Sequence, residues 1–145
     1  YPHSKPLRSS LFSLLKIIHW LIIYKIFFFM LSKEKTNLIL FDRYANDLLI
    51  DKKRYRYNLS SKITEKILNY FPQPDLWVVL NAELNILQQR KKELSIEELK
   101  RQAYEYVNFY KSKKNALLLD TTKSLDLNLK TIINEIIKYS NGGKT

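Results

Sequence analysis

The sequence has 145 residues, 46% of them apolar and 27% charged, which suits one folded domain and excludes an intrinsically disordered chain. It has no Cys, so disulfides, thiolate metal sites and a cysteine nucleophile are excluded, and two His leave little room for imidazole ligands. With 25 basic residues against 14 acidic ones the net charge is +11, a balance that suits nucleotides, nucleic acid or an anionic membrane surface without choosing among them.

The opening YPHSKPLRSS reads as loop, because Pro2 and Pro6 disfavour helix and Ser9 or Ser10 can cap the next element. Residues 11–31, LFSLLKIIHWLIIYKIFFFML, are too long for a strand and predict a helix about 32 Å long. The length also fits a membrane span. Lys16 and Lys25 would each cost roughly 3 kcal/mol at mid-membrane, against roughly 0.3–0.6 kcal/mol returned by each of some fourteen Leu, Ile and Phe, so hydropathy leaves the matter even. Ser9, Ser13 and Lys16 share a helical face, whereas Lys25 lies about half a turn away. The expectation is a bent or two-part helix buried in protein, with membrane contact open. No signal peptide is expected, since the apolar stretch lacks a small-residue cleavage site.

Asn37-Leu38-Ile39-Leu40-Phe41 is a short apolar run ending in Asp42-Arg43-Tyr44. A helix is predicted over 60–71, started by Ser60 or Ser61 and stopped by Pro72 and Pro74. A second run, Leu76-Trp77-Val78-Val79-Leu80, ends in Asn81, which can cap a helix over 82–92. Ser95-Ile96-Glu97-Glu98 is a capping box opening a helix over 96–113. The third run, Ala116-Leu117-Leu118-Leu119, ends in Asp120 and precedes a helix over 125–139 with Ile132, Ile133, Ile136 and Ile137 on one face. Continuous apolar runs are what strands buried on both faces look like. The alternation therefore predicts an α/β fold: a three-layer parallel sheet with helices on both faces, spanning 1–139, then a polar tail at 140–145.

Ligands bind beyond the carboxyl ends of such strands. Those ends carry Asp42, Arg43 and Tyr44, then Asn81, then Asp120 and Thr121. A carboxylate beside a guanidinium can hold a metal's water shell and a phosphate together, and the Arg fork makes bidentate bonds to the phosphate. The same pair also reads as an ion pair closing the sheet edge. Gln89-Arg90-Lys91-Lys92-Glu93 reads as a basic lid over polyphosphate or as cations favouring a helix C-terminus. Asp51-Lys52-Lys53-Arg54-Tyr55-Arg56-Tyr57 interleaves Arg and Tyr, as base-stacking surfaces and solvated loops both do. Gly143-Lys144-Thr145 does not complete a phosphate loop, because the first glycine position of that motif holds Lys138.

LILFDRY at 38–44, PDLWVVLNAELNILQQRKKE at 74–93 and ALLLDTT at 116–122 resemble the thymidylate kinase family of P-loop nucleotide kinases, in particular its divergent bacterial branch. The resemblance covers roughly residues 1–139 and implies a nucleoside-monophosphate-kinase fold, here without its first strand and Gly-rich loop, so that the chain is expected to be a piece of such a kinase. It implies ATP-dependent phosphoryl transfer to a nucleotide or other small acceptor, with ATP and Mg²⁺ needed by the complete protein. By the same resemblance Asp42 is expected near the Mg²⁺ water shell, Arg43 on the acceptor phosphate and the transferred phosphoryl, and Tyr44 in the acceptor pocket. Arg90 with Lys91 or Lys92, and more weakly Arg101, would be the lid cations. Ala45-Asn46-Asp47-Leu48 departs from the family's acceptor-side pattern, which puts thymidylate itself in doubt. The resemblance also implies a homodimer, formed through the apolar segment 11–31. The expected location is cytoplasmic. The alternatives are a membrane-associated protein and a basic nucleic-acid-binding protein, the latter disfavoured because the cations are scattered over loops and helix ends.

Overall fold

The structure is a computed structural model that describes residues 3, 5–31 and 38–140. Asn37, at the start of the first apolar run, and the glycines of the tail lie outside the described residues. The chain divides into two compact units, Tyr1–Gln73 and Pro74–Thr145.

The first unit is helical. Its helices are α1 (Ser10–Leu31), α2 (Asp47–Ile50) and α3 (Ser61–Leu68). α1 begins where Ser9 Oγ accepts a hydrogen bond from the Phe12 amide. Ser13 and Ile17 are its buried residues, and Trp20, Tyr24 and Phe28 continue the same face at helical spacing. That face packs on α3 and on the loop between α2 and α3. Three polar bonds pin it there: Lys16 Nζ to the Tyr55 carbonyl at 2.8 Å, Ser10 Oγ to the Asn58 carbonyl at 2.8 Å, and the Asn58 amide to Ser13 Oγ at 2.8 Å. Ser60 caps α3 by accepting from the Ile63 amide. Tyr57 is fully buried beneath it, its hydroxyl 2.9 Å from Thr64 Oγ1. Thr64 donates its own proton to the Ser60 carbonyl, so the Tyr57 hydroxyl is the donor between them.

The second unit contains β1 (Trp77–Asn81), α4 (Leu84–Arg90), α5 (Ile96–Ser112), β2 (Ala116–Asp120) and α6 (Leu125–Ser140). β1 and β2 pair in parallel, with Trp77 opposite Ala116 and Asn81 opposite Asp120. Parallel neighbours need a long crossover, and α4 and α5 supply it. Ser95 Oγ caps α5 by accepting from the Glu98 amide, as the capping-box spacing predicts. Leu99 is the buried anchor of α5, and Phe109 meets Trp77 of β1 edge to face at 4.9 Å. α6 lies on β2.

The expected three-layer parallel sheet is not what forms. Among the described residues the protein is mostly helical, with a single two-stranded sheet. Residues 38–41 pair with no strand there, and Leu40 is 78% exposed. An apolar run becomes a buried strand only where a neighbouring edge satisfies its N–H and C=O groups. Phe41 instead joins an aromatic cluster with Tyr24, Phe28 and Tyr44, at centroid distances of 5.5–5.9 Å. Two smaller expectations also change. α4 is capped at Glu83 without a side-chain bond, so Asn81 is not its cap. α1 is one continuous helix, and its second face is apolar and exposed rather than buried in this chain.

Candidate functional site

Asp42, Arg43 and Tyr44 form the bend between the extended residues 38–41 and α2. Arg43 has φ 70°, the left-handed region that costs a residue with a Cβ about 1–2 kcal/mol. Its guanidinium donates from Nη1 to Asp47 Oδ2 at 2.8 Å, across one helical turn. Asp47 is buried and also accepts from the Tyr55 hydroxyl at 3.3 Å. The Arg43 side chain keeps 31% of its surface exposed, so an anion has access to a guanidinium that is already oriented. Asp42 is exposed, and Tyr44 is buried with its hydroxyl donating to the Pro72 carbonyl. Burial, and secondarily the Tyr24 hydroxyl, hold Tyr44 well above the usual tyrosine range. Tyr44 therefore serves as a neutral wall of the bend.

In the second unit the carboxyl ends of β1 and β2 are joined through Thr121. Its amide donates to the Asn81 carbonyl at 2.8 Å and its hydroxyl to the same oxygen at 3.0 Å. Arg90, in the last turn of α4, donates to Thr121 Oγ1 at 2.8 Å and to the Thr121 carbonyl at 3.2 Å. Asp120 accepts from the Thr122 amide and hydroxyl, which lowers its pKa. Lys91 ends α4 and Lys92 is exposed beside it. Arg101 is turned back onto Glu98 along α5, at 2.9 and 2.7 Å, a local helix pair.

The structure thus gathers Asp42, Arg43 and Tyr44 at one bend, and Arg90, Lys91 and Lys92 at the end of α4. It places Arg101 in a separate ion pair. Asp47 and Thr121 are partners of these cations; the sequence places Thr121 at a strand end but does not mark it as the anchor of Arg90, and it does not single out Asp47. A signal for Asp47 is present, as an acid four residues after Arg43. The Arg90–Thr121 pair, 31 residues apart, has no local signal.

The described residues contain no group of three or more His, Asp or Glu that could hold a metal ion. Mg²⁺ keeps several waters and binds through one or two carboxylates plus substrate phosphates. Asp42, a lone exposed carboxylate, suits a water-mediated contact and no direct cage. Compared with protein-family models, curated proteins and solved structures, the chain matches none.

The Arg43–Asp47 pair carries a stability prediction. Asp47→Ala removes a charge-assisted bond from a buried acceptor and leaves Arg43 in a strained backbone without its anchor. A loss of about 1.5–3 kcal/mol is expected in urea unfolding. A loss within experimental error would mean that the pair is not formed in solution.

Proposed function

We propose that the chain supplies acceptor-side and lid-side cations of an ATP-dependent nucleotide phosphotransferase resembling thymidylate kinases. The observation that carries the reading is the Asp42-Arg43-Tyr44 bend, where Arg43 sits in left-handed backbone and is held by a buried carboxylate. Strain of that kind persists where the surroundings over-determine it, and it clusters at ligand clamps. Phosphoryl transfer asks the protein mainly for positioning and positive charge. Arg43 takes the acceptor phosphate, and Tyr44 walls the pocket with a neutral hydroxyl. By the same resemblance Arg90, with Lys91 or Lys92, takes the lid role; within its own unit Arg90 is anchored on Thr121.

The test is a titration of the 145-residue chain with nucleoside monophosphates, followed by amide chemical shifts. Shifts centred on 42–47 are expected, together with a loss of affinity of about tenfold or more in Arg43→Ala, the weight of a charge-assisted phosphate bond. The reading fails if no monophosphate binds, or if Arg43→Ala binds as well as the wild type. The sequence contains no G-x-x-x-x-G-K-[ST] run between a strand and a helix. No ATP turnover is therefore expected from these 145 residues alone, and measurable turnover would overturn that expectation.

A further inference from the structure

A run of exposed apolar residues follows α1. Leu11, Leu15, Ile18, Ile22 and Ile26 recur at spacings of three and four, so they form one stripe along the helix, and each is 40–66% exposed. Apolar area of this extent on a soluble surface marks a contact. Its occupant is indicated by charge. Through Leu31 the sequence contains four Lys or Arg, at 5, 8, 16 and 25, and no Asp or Glu. Arg8 lies over the ring of Phe12 at 5.6 Å, at the start of the stripe. Arg56 is tied to the same end, its Nε donating to the Pro6 carbonyl at 2.9 Å and its carbonyl accepting from the Arg8 amide at 3.0 Å. Lys25 is exposed further along α1. A second copy of this face would bring further cations against these and no acid from α1 to meet them. An anionic lipid surface supplies the missing charge and accepts the apolar stripe as well.

We propose that α1 lies in the plane of an anionic membrane surface, its stripe among the acyl chains and Arg8 and Lys25 at the headgroups. The helix is long enough to span a bilayer, yet its opposite face is held to the protein by Ser10, Ser13 and Lys16. Spanning would strip these bonds or drag the polar loop 51–58 into hydrocarbon, where unsatisfied polar groups are costly. Lying flat keeps the Ser10, Ser13 and Lys16 bonds to the protein and gives the exposed apolar side chains of the helix an apolar surrounding.

The experiment is flotation of the full chain with vesicles of phosphatidylcholine alone and of equal parts phosphatidylcholine and phosphatidylglycerol. Binding is expected to be on the order of tenfold or more stronger to the anionic vesicles and to weaken with salt. The double variant Leu15→Ser/Ile22→Ser should lose on the order of tenfold or more of that binding, with unchanged circular dichroism because both side chains are exposed. Arg8→Gln/Lys25→Gln should lose the preference for anionic lipid. No flotation, or equal flotation of all variants, overturns the proposal. So does a lipid-free dimer that Leu15→Ser/Ile22→Ser dissociates, which would assign the stripe to a second copy. Retention through an alkaline carbonate wash would replace the in-plane helix by a spanning one.

Discussion

Ile17→Ala is expected to destabilise the protein by about 2–5 kcal/mol, the range for cutting a buried aliphatic side chain to Ala. Ile17 is fully buried on the packed face of α1, next to Ser13 and in line with Trp20 and Tyr24. A unit of roughly 70 residues is stabilised by only about 4–11 kcal/mol, so the loss is a large share of the whole. Ile22→Ala is the control, because Ile22 is 53% exposed on the opposite face and should cost about 0.5 kcal/mol. Urea unfolding followed by circular dichroism, with hydrogen exchange over 10–31, separates the two. Equal losses would mean that α1 does not pack through the Ser13–Ile17 face. The contrast also bears on the membrane proposal, since it asks the same helix to use one face for protein and keep the other for lipid.

Most helices are legible in the sequence because their signals are local. The capping box places the start of α5 at Ser95, Ser60 places the start of α3, which ends at Leu68 rather than at the expected 71, and the long apolar run places α1 to within a residue. Two of the three apolar runs form the parallel strands expected of them, in a register that aligns Asn81 with Asp120. The third does not, and local pattern holds no information on whether a partner edge is available. α2 escapes sequence reading because four residues carry no period. Neither Arg43 nor Arg56 announces its positive φ, since glycine is the residue that reads as left-handed and the only two glycines are Gly142 and Gly143. The candidate cations are legible as residue types. Their anchors are less so: Asp47 lies one turn away and can be found by spacing, whereas Thr121 reaches Arg90 only through the pairing of β1 with β2.

Raising the pH above 10 is expected to destabilise the first unit steeply, because four of its tyrosines hold their protons more tightly folded than unfolded. Burial is the first cause in each. Asp47 adds to it for Tyr24, and the Tyr24 hydroxyl adds to it for Tyr44. Tyr55 is pushed up to about 12 by burial and by the Asp47 charge that also accepts its hydrogen bond, with Arg43 and Arg54 pulling the other way. Tyr57 is raised by burial. Below the unfolded value of 10, both states keep the proton and the contribution is fully present. Between 10 and about 12 the unfolded state releases the Tyr55 proton while the native state retains it, so stability falls as pH rises. Each tyrosine can contribute a slope of at most about 1.4 kcal/mol per pH unit, and the partly exposed Tyr24 and Tyr55 contribute less. Tyr55→Phe removes one ionisable group while keeping the ring that meets Trp20 edge to face at 5.6 Å. Urea midpoints measured across this range, with tyrosinate absorbance alongside, should show a steep decline for the wild type and a shallower one for Tyr55→Phe. A flat wild-type profile from pH 10 to about 12, or an identical slope in the variant, would show that Tyr55 is not held against Asp47 and that the bend around Arg43 is more open than its hydrogen bonds imply.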